Sequence, residues 1–210
     1  FFTAMGRAVI AGTLATIVLL VGRVPIPPRK YLRPLFFTML GALVQGRVSL
    51  DGAATTGTAL ALYIALTYAG QRRQFDSGSG TDEVVLLDYG KHQRRLLPLL
   101  AQNYAQFFAG DELLRKFDGV FGGKSDTPQE REDLETLAAA LKPLSTWNAL
   151  YTIQECREAC GGSGYLAENR LVGLHQDLDV YVTFEGDNNV LLQLVGKRLA
   201  VHVIRPEQGR

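Results

Sequence analysis

The sequence lacks an excess of charge of either sign: it has 22 basic and 21 acidic residues and a net charge of +1. That balance gives no electrostatic reason to expect binding to nucleic acid or to an acidic surface. Cysteine is scarce as well. Cys156 and Cys160 cannot form a disulfide framework, and we expect them to be two packed, reduced thiols. His92, His175 and His202 are scattered, so we predict no metal site.

The amino end also lacks an uncharged run long enough to cross a membrane. The longest uncharged stretch near the amino end, Ala8 to Gly22, has fifteen residues, fewer than the roughly 20 that cross a bilayer as a helix. We favour a buried helix there over a membrane-associated segment or a targeting remnant. The proline-rich, basic residues 24–34 that follow predict a linker that ends any earlier helix.

Strand-like alternation is scarce, being confined to the short stretch Val180–Phe184. Apolar residues recur instead at helical spacing, and they predict four long helices, at 35–75, 84–117, 127–160 and 187–201. The polar residues 76–83 read as a turn in which Thr81 or Asp82 caps the second helix. We therefore predict an all-α, four-helix up-and-down bundle at 35–203, after an apolar segment and linker at 1–34 and before a tail at 204–210.

Glu185 is the most informative single acid in the chain. It stands between Phe184 and Gly186, which fits a carboxylate held in a dry cleft close to a substrate, where desolvation raises its basicity. The alternative is an acid placed near a helix start by the helix dipole. Asp187 and Asn189 place capping groups and hydrogen-bond donors at that helix start, an arrangement that could bind part of an anionic cofactor.

The blocks CREACGGSGY (156–165) and TFEGDN (183–188) closely resemble the catalytic segment of acyl-CoA oxidases, relatives of the flavin-dependent acyl-CoA dehydrogenases. The resemblance covers about 35–200. It implies an FAD enzyme whose catalytic base is Glu185, with Phe184 and Gly186 beside the substrate. It also implies residues near the cofactor, which are Gly161, Gly162, Asp187 and Asn189. Without the resemblance, the residues GGSGY would be interpreted as a glycine-rich segment that ends a helix at its C-terminus.

Two arginines gain sharper interpretations from the resemblance. Arg72 would reach the flavin diphosphate of a neighbouring subunit, with Gln74 and Phe75 beside the flavin; taken alone, Arg72 is a basic helix end that complements the dipole. Arg47 is the one charge between Leu35 and Leu50 and matches an arginine that helps to hold CoA. The alternative for Arg47 is a surface arginine with a buried stem.

The resemblance implies oxidation of a fatty acyl-CoA to a trans-2-enoyl-CoA in β-oxidation, with electrons passed to dioxygen to form hydrogen peroxide. It also implies a homodimer or higher oligomer, with this chain carrying the catalytic-base domain only. Three alternatives remain open: a dehydrogenase that passes electrons to a protein acceptor, a non-catalytic assembly module without its flavin domain, and a membrane-tethered bundle. Reduced cysteines favour a cytoplasmic or peroxisomal setting, of which we favour the cytoplasm.

Overall fold

The computed structural model describes residues 29–76, 78 and 82–204. Its helices are α1 (Arg29–Gln71), α2 (Gly90–Phe121), α3 (Pro128–Ala159), α4 (Leu171–Asp179) and α5 (Asn188–Ile204). The strands β1 (Arg73–Asp76) and β2 (Glu83–Val85) form an antiparallel hairpin between α1 and α2. Ala42 to Ile204 belong to one compact unit, and its architecture confirms the predicted helical bundle. The apolar run 8–22 lies outside the described residues.

Alanines let α1 pack closely against its neighbours. Four of them, spaced at helical intervals, are completely buried: Ala54, Ala61, Ala65 and Ala69. They share one hydrophobic cluster with Leu96 of α2 and Ile153 of α3. Small side chains on one stripe allow two helix backbones to approach each other, so α1 lies in the core of the unit.

A second hydrophobic cluster joins the other parts of the same three helices. Val44 and Val48 of α1 meet Leu113 of α2 and Leu134 of α3 there. Because α1 contributes to both clusters, residues 44–69 form a continuous buried stripe. Val44 and Val48, on either side of residue 46, thus pack with side chains of both α2 and α3.

Two helix starts follow the sequence prediction. Thr127 caps α3, its side chain accepting a hydrogen bond from the Glu130 amide at 3.1 Å, and Pro128 occupies the first helical position. Asp187 caps α5, because its Oδ1 accepts from the amides of Asn189 at 2.9 Å and Val190 at 3.3 Å.

The helix boundaries near the linker and the hairpin differ from the prediction. α1 begins at Arg29, within the predicted linker, and includes Pro34, which therefore costs a backbone hydrogen bond but does not end this helix. β1 ends at Asp76 and β2 begins at Glu83, so Asp82 precedes a strand and not a helix, while Thr81 lies outside the described residues. α2 begins only at Gly90, with Tyr89 at the N-cap and no side-chain cap. Strands of three and four residues are too short for alternation to reveal them.

The segment before Glu185 also differs. Val180–Val182 is a turn of 3₁₀ helix and not a strand, and α4 is a fifth helix in the described part of the chain. A Cβ added at Gly57 would lie 2.8 Å from Leu178, so α4 packs directly on the backbone of α1. Nine residues give too short a periodic pattern for α4 to stand out in the sequence.

Among the helices of the described residues, none is both long enough and apolar enough to cross a membrane. Both cysteines are buried and free, as predicted. Burial raises the pKa of Cys156 to about 12, so its thiol is protonated at neutral pH.

We expect Gly164→Ala to destabilise the unit. A Cβ at Gly164 would lie 2.0 Å from the Arg157 carbonyl oxygen, a backbone atom that cannot move away cheaply, so we expect a loss of about 1–3 kcal/mol in the free energy of unfolding. Gly173→Ala is the matched control, because nothing lies within 4 Å of its added Cβ. Chemical denaturation of both variants measures the difference, and equal stabilities would contradict the packing account.

Candidate active site

The turn that carries Glu185 has an unusual backbone conformation. Glu185 has φ of 55° and Gly186 has φ of 114°. A left-handed conformation costs a non-glycine residue roughly 1–2 kcal/mol, so it persists where surrounding contacts hold it. The turn lies between the 3₁₀ helix Val180–Val182 and α5, and its contacts come from α1 and α3.

The Glu185 carboxylate packs against the backbone of α1 at Gly46. A Cβ added at Gly46 would lie 2.5 Å from the Glu185 Cδ and 2.8 Å from both carboxylate oxygens. The carboxylate therefore rests on bare helix backbone, in space that any other residue would occupy. No local pattern in the sequence connects Gly46 with an acid 139 positions away.

Arg47, next to Gly46, is buried, with 8% of its surface exposed. Its Nε donates to the Glu185 carbonyl oxygen at 3.2 Å. Burial lowers the pKa of Arg47, while the nearby charges of Glu135 and Glu185 oppose the shift. The interpretation of Arg47 as a surface arginine is wrong, because the side chain turns inward to the turn; its predicted role in holding CoA stays a prediction.

Lys142 of α3 is the functional candidate that the sequence analysis missed. Its side chain is fully buried, and Nζ donates to the Gly186 carbonyl oxygen at 2.7 Å and to Asn188 Oδ1 at 2.8 Å. Burial and the neighbouring Arg47 lower the pKa of Lys142 to about 8, against the opposing effect of Asp187 and Glu185. The available signal was a lone cation in the apolar run LAAALKPL, the same pattern that singled out Arg47.

The other predicted residues around Glu185 lie in the same turn. Phe184 is exposed, and Gly186 supplies the carbonyl that Lys142 binds. Asp187 is directed at its own helix, where it accepts from two first-turn amides. The amide of Asn189 is one of those two donors. The structure thus brings Arg47, Phe184 and Gly186 together with Glu185.

Three residues predicted to contact the flavin lie far from this turn. Arg72, Gln74 and Phe75 are exposed at the hairpin, where Phe75 has φ of 66° and the Tyr89 hydroxyl donates to the Gln74 carbonyl at 2.8 Å. At 1.5 Å per residue, α1 separates Arg72 from Arg47 by roughly 38 Å. Within one chain these residues and Glu185 are therefore far apart.

Gly161 and Gly162 are also exposed, in a 3₁₀ turn at the end of α3. Gly161 has φ of 58°, so the segment ends the helix as glycine's conformational freedom allows. The rise along α3 places them roughly 29 Å beyond Lys142. In the described part of the chain, no group of three or more histidine, cysteine, aspartate or glutamate side chains could hold a metal ion.

Comparison with known proteins identifies the family. The model described as "Acyl-CoA oxidase, C-alpha1 domain" matches residues 40–200. The chain belongs to the acyl-CoA oxidase family. That match spans both cations, Gly46 and the whole turn that carries Glu185, so the site described above lies inside the C-alpha1 domain.

Curated acyl-CoA oxidases share substantial identity with this chain. It is 43% identical over 164 residues to a putative peroxisomal acyl-coenzyme A oxidase 3.2 of Arabidopsis thaliana, covering 78% of this chain and 23% of that protein. It is 42% identical over 174 residues to the human peroxisomal acyl-coenzyme A oxidase 3, covering 80% and 25%. The chain thus spans about a quarter of the length of these relatives.

Solved acyl-CoA oxidase structures share the fold. Acyl-CoA oxidase 1 of Yarrowia lipolytica superposes with a TM-score of 0.72 at 35% identity, over 81% of this chain and 27% of that one. A second relative is acyl-CoA oxidase-1 of Caenorhabditis elegans, solved in complex with FAD and ATP. It matches with a TM-score of 0.72 at 31% identity, over 78% and 25% of the two chains. These matches confirm the predicted bundle of the acyl-CoA oxidase and dehydrogenase type.

Lys142 should make the free energy of unfolding vary with pH in the alkaline range. Its pKa is about 8 in the folded chain against an ordinary 10.5, so between these values the unfolded chain binds more protons. The contribution of Lys142 to the free energy of unfolding should therefore rise with pH across that window, by at most about 1.4 kcal/mol per pH unit.

Denaturation of the wild type and Lys142→Met across that pH window measures the effect. The wild type should gain stability relative to the variant as the pH rises. The control, Lys116→Met, removes a partly exposed lysine that pairs with Glu130 at 2.9 Å. The free energy of unfolding of Lys116→Met, plotted against pH, should run parallel to that of the wild type. A curve for Lys142→Met that is also parallel to the wild type would contradict the shifted pKa.

Proposed function

We propose that this chain supplies the catalytic base of a flavin-dependent acyl-CoA oxidase that acts on fatty acyl-CoA. The observation that carries the proposal is the Glu185 carboxylate resting on Gly46, in a turn held by two buried cations and within the segment that matches the family. The reaction is oxidation of the acyl chain to a trans-2-enoyl-CoA, and dioxygen takes the electrons to give hydrogen peroxide.

Glu185 is the group that moves the proton. Its carboxylate accepts the proton from the acyl α-carbon, while its backbone carbonyl is held by Arg47 Nε at 3.2 Å. Because the two successive backbone carbonyls that follow the side chain, those of Glu185 and Gly186, are fixed by hydrogen bonds, the carboxylate is oriented before the substrate binds. A base held in place contributes about 10²–10⁴-fold to a proton transfer. Phe184, exposed beside it, would contact the substrate together with Gly186.

FAD is the cofactor that the family implies, and it supplies the acceptor for the hydride that leaves the acyl β-carbon. Arg72, Gln74 and Phe75 suit one part of this cofactor, because an exposed guanidinium pairs well with a diphosphate and Phe75 is 67% exposed. Their distance from Glu185 within one chain supports binding to the flavin of a neighbouring subunit, and hence a homodimer or higher oligomer. Gly161 and Gly162, with Asp187 and Asn189, complete the proposed cofactor contacts.

A peroxisomal location agrees with the relatives. The Arabidopsis and human proteins reported above are both named peroxisomal, and these names do not support the cytoplasm, which we favoured from the sequence. We therefore propose that this chain, too, functions in peroxisomal fatty acid β-oxidation.

Two other functions predict different outcomes in one experiment. The chain is mixed with FAD, and its visible spectrum is recorded before and after a long-chain acyl-CoA is added without oxygen. Bleaching that recovers in air with formation of peroxide supports the oxidase. Bleaching that recovers only with a protein electron acceptor would indicate a dehydrogenase. No uptake of FAD by a stable oligomer would indicate an assembly module.

Glu185→Gln should abolish most of the bleaching. The amide has nearly the same shape but cannot accept the proton, so we expect the rate of flavin reduction to fall by roughly 10²–10⁴-fold. Glu168→Gln is the control, since Glu168 is exposed and lies outside the turn. Flavin content should be equal in both variants; a fast Glu185→Gln variant would refute the role of the base.

Gly46→Ala should displace the base and leave the fold intact. Its added Cβ would meet the end of the Glu185 side chain, which can move, so stability should change little while flavin reduction slows by about 10²-fold. Gly52→Ala lies on the same helix with nothing within 4 Å of its Cβ, and it should reduce flavin at the wild-type rate. Equal rates for the two variants would contradict the contact between Gly46 and Glu185.

A further inference from the structure

Lys142 is an unusual buried cation. Its side chain is fully buried, yet it takes part in none of the ion pairs between described side chains. Its two hydrogen-bond acceptors are a backbone carbonyl and an amide oxygen. Burying a charge without a carboxylate partner is costly. A contact that only joined two helices could be made at lower cost by an apolar side chain.

Both acceptors of Lys142 belong to the segment that follows Glu185. The Gly186 carbonyl lies at 2.7 Å and Asn188 Oδ1 at 2.8 Å. Asn188 is itself fixed, because its Nδ2 donates to Thr146 Oγ1 at 3.0 Å and Thr146 donates to the Lys142 carbonyl at 2.8 Å. These three residues form a closed ring of hydrogen bonds that anchors the start of α5 on α3.

The two cations hold successive carbonyls. Arg47 binds the carbonyl of Glu185 from α1, and Lys142 binds the carbonyl of Gly186 from α3. Those two residues have the positive φ values of 55° and 114°. If the ammonium were removed, the Gly186 carbonyl would be free to rotate, and the side chain of Glu185 would no longer be directed at Gly46.

We propose that Lys142 is a positioning residue for Glu185, which keeps the Glu185–Gly186 turn left-handed and so places the carboxylate against Gly46. The positioning is a property of the chain alone. Its consequence for catalysis rests on the function proposed above. Lys142 touches neither substrate nor flavin in this scheme, and it acts only through the turn.

The direct test is nuclear magnetic resonance of the 210-residue chain and its Lys142→Met variant. Gly46 Hα and the Glu185 side chain should show a strong Overhauser contact in the wild type. Carbon shifts of Glu185 and Gly186 should indicate positive φ. In Lys142→Met the contact should be lost, and the shifts should move towards ordinary loop values. An unchanged contact and unchanged shifts in a folded Lys142→Met variant would overturn the proposal.

Lys116→Met is the matched control, because it makes the same chemical change at a partly exposed lysine whose partners are Glu130 and Asp133. It should keep the Overhauser contact. Loss of the contact in both variants would show that the turn responds to general destabilisation, and this would also overturn the specific role of Lys142.

A milder variant covers the case in which Lys142→Met does not fold. Thr146→Val keeps the side-chain shape but removes the oxygen that accepts from Asn188, so one of the two acceptors of Lys142 loses its anchor. The Overhauser contact should weaken, with Lys142 still present. Spectra of the turn identical to those of the wild type would count against the ring of hydrogen bonds and against the proposal.

Kinetics separates positioning from substrate binding. In the FAD-loaded protein, Lys142→Met should lower kcat by about 10²-fold and leave KM for the acyl-CoA and the flavin content nearly unchanged. A rise in KM with kcat retained would overturn the positioning role. If the wild type itself reduces no flavin, the proposed function fails, while the Overhauser contact still decides the inference about Lys142.

Discussion

A left-handed turn held by two buried cations is the constraint on which the candidate site depends. The turn puts Glu185 in a conformation that its side chain disfavours, and hydrogen bonds from Arg47 and Lys142 hold it there. Each cation comes from a different long helix, so α1 and α3 must pack at a fixed separation. The buried alanines of α1 provide that close packing, and in this way the core of the bundle determines where one carboxylate lies.

The separation of the candidate site residues into two groups follows from the long helices of the chain. Glu185 and its supports lie near residues 46 and 142, whereas Arg72, Phe75 and Gly161 lie several helical turns away along α1 and α3. A rigid helix of this length cannot bring its two ends to one small ligand. The extended cofactor shared between subunits that we propose would resolve this geometry, and the bundle would then act as a spacer as well as a scaffold.

Helical periodicity and capping chemistry predicted the long helices, and the starts of α3 and α5 were correct to about one residue. The hairpin, α4 and the 3₁₀ turn at Val180 were not predicted, because each is too short to show a period. Glu185 could be found from its neighbours and from the resemblance. Gly46 and Lys142 could not be connected with it, since their roles arise from contacts between helices that no local pattern records. Arg47 was noticed as a lone charge, but its contact with a carbonyl needed the structure.

The ring and the turn also have a consequence for the order of folding. Arg47 and Glu185 are 138 positions apart, and Lys142 and Gly186 are 44 apart. Contacts of such long range form only after the intervening loop entropy has been overcome. We therefore expect the individual helices to form early, and Glu185 to reach its conformation only when the turn that carries it docks on α1 and α3. We expect positioning of the base to be the closing step in assembly of the unit, and a chain interrupted before Glu185 would contain most of the buried core without the base.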